Sequence, residues 1–176
     1  MVIDPVAEPD AYRRFLLEAL GDRDPAEVLA EGPAAARRLV ADAGEELRAR
    51  PEASEWSVIE VLAHLADAEL IIAARLRWIA AEDEPDIAPY DQDLWVSRLR
   101  QVEEDADILL GAYEANRRWN LAFWQQLPVA DRARFGLHRE RGPESVEMTF
   151  RLAAGHDLVH LAQARRALEV VRGVAT

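Results

Sequence analysis

The sequence predicts an all-α protein: a four-helix bundle preceded by a short helical extension. Three observations carry this prediction. Apolar residues recur at helical spacing along nearly the whole chain, no stretch of useful length alternates apolar with polar residues, and no Asn-Gly or Asp-Gly hairpin signal occurs. The 176 residues are 50% hydrophobic and 31% charged, with 8 Gly and 9 Pro. Such a chain buries one core and is neither disordered nor fibrous.

The elements follow in order. Asp10–Leu20 and Asp24–Ala30 read as short helices separated by Gly21, with Pro25 where a first helical turn tolerates it. Pro33–Arg50 is the first long helix, carrying Ala36, Leu39, Val40, Ala43 and Leu47 on one side and closed by Pro51. Ser57 caps the second, with Glu60 three residues on in the capping-box arrangement. That helix reaches about Glu82, roughly 39 Å at 1.5 Å per residue. Asp83–Asp93, with Pro85 and Pro89, is a polar connection. The third helix runs from Asp91 or Gln92 to Leu127, with a bend near Gln101, and Pro128 ends it. Its apolar face collects Tyr113, Trp119, Phe123 and Trp124, and these tryptophans, with Trp56 and Trp95, are expected in the core. Val129–Pro143 reads as a loop rich in Arg and Gly, with room for one helical turn, and Ser145–Arg172 is the fourth long helix. Residues 1–31 are thus the helical extension and 32–176 the bundle.

Charge and composition exclude several functions. The 21 basic against 33 acidic residues give −12, and every fixed positive charge is Arg, since the chain has no Lys. A nucleic-acid binder needs a basic face, and an anionic membrane surface selects for one too. Cysteine is absent, which removes disulfides, thiolate metal sites and any Cys nucleophile. The N-terminal MVIDPVAEPD lacks the basic and apolar regions of a signal peptide, and the apolar run Leu70–Ala81 is interrupted by Arg75 and Arg77. The expectation is a cytoplasmic protein without nucleic-acid or membrane partners.

Only four histidines occur, and three of them have helical settings that suit a metal. His156 and His160 stand four apart in the last helix, which puts both rings on one face, about 40° apart around the axis and about 6 Å along it. Two neutral imidazoles so placed converge on a point, as a divalent first-row ion requires. Thr149, Ala153 and Gln163 share that face and leave room. His64 lies mid-helix on the row of Val61, Ala68 and Ile71. A ring facing the bundle interior needs a partner there. Asp67, three residues after His64, is placed either to accept a ring N–H or to stand as a surface carboxylate. His138, in the charged segment Gly136–Gly142, reads as a solvated loop histidine or as a group near substrate. A zincin helix is excluded, because Asp157 replaces the required Glu after the first His. No Gly-x-Ser-x-Gly elbow and no phosphate-cradling loop is present.

Taken together, these motifs resemble the DinB/YfiT-like family. Trp56-Ser57-Val58-Ile59-Glu60-Val61-Leu62-Ala63-His64-Leu65-Ala66-Asp67-Ala68-Glu69 is similar to that family's opening W-s-x-x-e-v-x-x-H-l-x-d-x-e. Gly155-His156-Asp157-Leu158-Val159-His160-Leu161-Ala162-Gln163 resembles its closing H-x-x-x-H-x-x-Q helix. Tyr90–Trp95, Asn116-Arg117, Gly136–His138 and Gly142 fall between them in the family's order. The resemblance covers Pro33–Glu169 and implies a bundle of DinB/YfiT-like topology. It further implies zinc or nickel on His64, His156 and His160 with water in the open position, and a homodimer.

Characterised members of that family include thiol transferases that use bacillithiol. With no cysteine of its own, the chain would draw its thiol from a cosubstrate, which the metal presents as thiolate to an electrophile. Arg117 or Arg118, near the bundle mouth, is the candidate to orient that thiol's carboxylates. Asp67, His138 and Gln163 are further candidates for supporting the metal or the substrate. The alternatives are a metal-binding bundle without turnover, or with a stress-related role, and a metal-dependent hydrolase of a small molecule.

Overall fold

The computed structural model describes residues 7–174. In chain order it contains α1 (Pro9–Leu20), α2 (Pro25–Ala43), α3 (Val58–Ala81), β1 (Asp86–Ile87), α4 (Gln92–Arg98), α5 (Ala106–Gln126), β2 (Phe135–His138), β3 (Gly142–Ser145) and α6 (Val146–Val171). Single 3-10 turns occupy Gly44–Arg48, Gln101–Glu103 and Val129–Ala133. Helices α2, α3, α5 and α6 form the bundle, and α1 packs on α6. The all-α four-helix expectation holds. No helix among the described residues is long and apolar enough to cross a membrane.

Helix α3 is the central element. Glu60 accepts the Ser57 backbone N–H at 2.9 Å and the Ser57 hydroxyl at 2.8 Å, which anchors its N-terminus as the capping box predicts. It is buried on most of its circumference, so two apolar clusters form along it. One gathers Leu20, Leu29, Leu76, Ile79, Trp124 and Phe150, the other Ala36, Ile59, Leu62, Leu65, Leu110 and Tyr113.

Three boundaries differ from the sequence expectation. The two helices expected on either side of Gly32 are one, so the expected domain boundary at 31/32 falls inside α2. Pro33 removes the hydrogen bond that the Leu29 carbonyl would have received, and a proline there normally breaks a helix. Here Arg117 Nη1 donates to that carbonyl at 2.7 Å, which repairs the loss. Helix α2 ends at Gly44, whose φ of 52° suits glycine, and not at Pro51.

The expected third helix is two. Arg100 adopts a left-handed φ of 56°, and the Asp105 carboxylate accepts from Asp107 N at 2.9 Å and Ile108 N at 3.1 Å, starting α5 afresh. The expected loop after α5 contains a hairpin, with β2 antiparallel to β3 and parallel to β1. Strands of two to four residues are too short to leave a period-2 signature. The tryptophans also divide. Trp124 is buried and stacked on Phe150 at 4.0 Å, whereas Trp119 is 56% exposed and covered on one face by Arg77, 3.4 Å from its ring centre.

Candidate metal centre

Helix periodicity brings the three predicted histidines together across the α3–α6 seam. His64 projects from α3, and His156 and His160 from α6. One ring nitrogen from each lies within 4.8 Å of the other two. His64 Nε2 is 3.0 Å from His156 Nε2, and the His160 ring centre is 4.5 Å from that of His64 and 4.2 Å from that of His156. His64 and His160 are buried and His156 is half-buried. Trp56 walls one side, 5.0 Å from the His64 ring and stacked at 18° on His160. Its motif position eight residues before His64 is the signal that could have placed it here rather than in the general core.

The electrostatics keep these rings neutral. Burial pushes His160 down to about 4, against the opposing pull of its Gln163 hydrogen bond and of Asp157. His64 is pushed well below the ordinary histidine value by burial and then by His160, and His156 by burial and then by His160 and His64. Neutral imidazoles offer lone pairs, as metal ligation requires. Gln163 Oε1 accepts a hydrogen bond from His160 Nδ1 at 2.8 Å, which sets that ring's tautomer and turns its Nε2 lone pair toward the other two rings. The donor set is therefore one that fits a divalent first-row ion.

Other predicted residues sit elsewhere. Asp67 accepts from the Gln101 side chain, and no hydrogen bond joins it to a histidine. Arg117 is not at the bundle mouth. It lies at the bundle centre, 1% exposed, with Nη1 donating to Asp157 at 2.7 Å and Nη2 to Glu69 at 2.7 Å. Tyr113 donates to Asp157 at 2.5 Å and Asn120 to Glu69 at 2.8 Å, so four elements meet in one network. Gly32 makes it possible, since a side chain there would come within 2.6 Å of Asp157 and 2.7 Å of Tyr113. Spacing on α5 identifies neither Tyr113 nor Asn120 as partners, because those contacts depend on how the helices cross.

His138 is not a solvated loop residue. It lies on β2, 2% exposed, where its Nδ1 accepts from the backbone N–H of Glu140 at 3.3 Å and of Arg141 at 3.4 Å. Burial, with Arg141 and Arg75 nearby, pushes it down to about 4.

Comparison with known proteins agrees with this architecture. The family model of the DinB superfamily matches residues 17–164. A protein from Oceanobacillus iheyensis, whose name proposes a metal-dependent hydrolase, is 31% identical over 119 residues, covering 67% of this chain and 68% of its own. A protein of the same description from Geobacillus thermodenitrificans is 32% identical over 120 residues, covering 63% and 66%. The solved structure of YfiT from Bacillus subtilis, described as a metal-dependent hydrolase candidate with an unusual four-helix bundle topology, superposes with a TM-score of 0.76. It is 23% identical to this chain, and the match covers 86% of this chain and 87% of that one.

Proposed function

The chain belongs to the DinB superfamily, and from that premise we propose that it is a divalent-metal-dependent enzyme whose ion, zinc or nickel, is held by His64, His156 and His160. The observation that carries this reading is the convergence of three neutral imidazoles from two helices, two buried and one half-buried, with no carboxylate among them. When bound, the ion lowers the pKa of a thiol or a water that joins it and supplies a nucleophile at neutral pH.

The residues of the chain have simpler tasks. Gln163 holds the His160 ring in one tautomer and orientation. Trp56 excludes water from one side of the cluster. The neighbouring carboxylates are engaged elsewhere: Asp157 and Glu69 with Arg117, and Asp67 with Gln101. Among the described residues that leaves no free carboxylate beside the rings to act as general base. A thiol, intrinsically far more acidic than water, is the nucleophile that a bound ion would deprotonate more readily. We therefore assign the activity as transfer of a low-molecular-weight thiol, of the bacillithiol type, to a small electrophile. Hydrolysis of a small molecule is the second reading, favoured by the names of the two curated relatives.

The test is direct. Protein purified without a His tag should bind about one equivalent of zinc or nickel, and His64→Ala, His156→Ala and His160→Ala should each abolish tight binding. The zinc- and nickel-loaded forms are then assayed with bacillithiol and monochlorobimane, and separately with ester and amide substrates without thiol. Conjugation that needs metal supports the first reading, and thiol-independent hydrolysis supports the second. Protein that takes up neither metal refutes both.

A further inference from the structure

Two arginines are buried among the described residues, and they differ in one respect. Arg117 faces two carboxylates. Arg75, 8% exposed, has no ion pair: its Nη2 donates to the Ala88 carbonyl at 2.9 Å, and its Nε is buried without a partner. A buried guanidinium left without counter-charge is strongly disfavoured, so its presence asks for a ligand.

Its surroundings repeat the request. Ala88 follows Ile87, which is in register with His138 across the β1–β2 pair, so Arg75 and His138 border the same spot. Because His138 Nδ1 accepts two backbone hydrogen bonds, the ring's proton is on Nε2, and that donor is also buried without a partner. Arg13, whose Nη2 bonds the Arg141 carbonyl, contributes a third buried unpartnered donor through its Nε. Glu144 does not answer them. Its carboxylate is held by Arg141 at 2.7 and 3.1 Å and by Thr149 at 3.1 Å. Arg75 is also held below the ordinary arginine value by burial and by Arg141, more than Glu144 and the other neighbours offset.

This cluster stands on the same seam as the histidines. Arg75 is eleven residues beyond His64 on α3, about 20° away around the axis, and Thr149 is seven before His156 on α6. Helical side chains lean toward the N-terminus, so Arg75 reaches back toward His64. Ala68 and Ile71 on α3 and Ala153 on α6 stand between the two groups.

We infer that Arg75 and His138 form the subsite for a carboxylate of the substrate, whose reacting end lies at the three histidines. One carboxylate supplies the negative charge that buried Arg75 lacks and accepts from Arg75 and His138. Arg13, which also has no ion pair among the described residues, is only half-buried and keeps contact with solvent. Phosphate would bring nearly two charges to a site with one buried unpaired guanidinium. The substrate class is thus a small carboxylic acid with its reactive group some atoms from the acid. This extends the proposed function, since the reacting end presumes the metal, but the carboxylate contact itself does not.

The experiment separates the two. Linear carboxylic acids from acetate to hexanoate, their uncharged primary amides and inorganic phosphate are titrated calorimetrically into metal-free and zinc-loaded protein. The expected result is a preference for acid over the matching amide of roughly tenfold or more in both forms. Arg75→Gln should abolish that preference and Arg75→Lys should keep most of it. Because Gln relieves an unpaired buried charge, Arg75→Gln should also melt no lower than the parent without ligand, whereas a purely structural arginine would lower the melting temperature. The inference is overturned if acids and amides bind alike, if no acid binds, if phosphate outcompetes every carboxylate, or if Arg75→Gln retains the preference. Failure of zinc to bind, with the acid preference intact in metal-free protein, would instead count against the proposed function alone.

Discussion

Replacing Arg117 by Met tests whether its network holds the bundle together. The guanidinium is almost wholly buried between two carboxylates that are themselves 2–3% exposed, so solvent screens little of the interaction. Breaking a buried pair by deleting one partner is destabilising by about 3–5 kcal/mol. The Leu29 carbonyl, freed by Pro33, also loses its donor, for about 1–3 kcal/mol more. The sum is at least about 4 kcal/mol, against a typical total of roughly 5–15 kcal/mol. At about 2–4 °C per kcal/mol for a chain of this size, the melting temperature should fall by at least roughly 8–16 °C. Urea denaturation followed by circular dichroism gives the free energy, and a thermal melt gives the temperature. Adding Glu69→Gln and Asp157→Asn to Arg117→Met should restore part of the stability. A loss under about 1 kcal/mol, or a triple variant no more stable than Arg117→Met, would refute the account, because breaking a buried ion pair cannot be that mild.

Other outcomes follow from single features. Gly155→Ala should destabilise despite the helix propensity gained, because the new Cβ would meet the Leu16 backbone of α1, at 2.7 Å from its carbonyl carbon. Gly111→Ala, with open space around it, should stabilise by about 1 kcal/mol; equal shifts in urea melts would mean that α1 does not pack on α6. Metal-free protein should lose stability as pH falls from 6.5 toward 5. His138 and His160 titrate near 4 when folded and near 6.5 when unfolded, so the unfolded chain takes up protons first; a flat profile of denaturation free energy would contradict the burial assigned to these rings. Gln163→Ala should weaken zinc binding about 10- to 100-fold by freeing the His160 ring, while Asp67→Asn and His138→Ala should leave it unchanged in calorimetric titration. Removing metal with a chelator should lower the melting temperature of loaded protein, by the equivalent of about 2.7 kcal/mol when free metal had stood at 100 times its dissociation constant.

The clustering of the three histidines was legible in the sequence because it depends mostly on short-range geometry. The i, i+4 spacing of His156 and His160 sets their common face whatever the rest of the chain does, and the Ser57–Glu60 box sets where α3 begins and so how His64 is rotated. Gln163 was placed on the same face by the same rule. The helical fold class follows from periodicity that extends over many turns and survives errors in any one boundary.

What periodicity could not determine are the places where a distant side chain overrules a local preference. Gly32-Pro33 reads as a break, and becomes the middle of α2 only because Arg117, 84 positions later, supplies the hydrogen bond that proline removed. Arg117 reads as a solvated arginine near a mouth, since nothing in its neighbourhood on α5 announces Glu69 on α3 or Asp157 on α6. His138 reads as a loop residue because two- to four-residue strands take their order from a partner strand and not from their own pattern. Local sequence determines which face of a helix a residue occupies, through the fixed rotation per residue. Only the tertiary structure decides which charges and donors share a buried space, because that depends on how the helices pack, and there an unpaired group is disfavoured enough to select its partner.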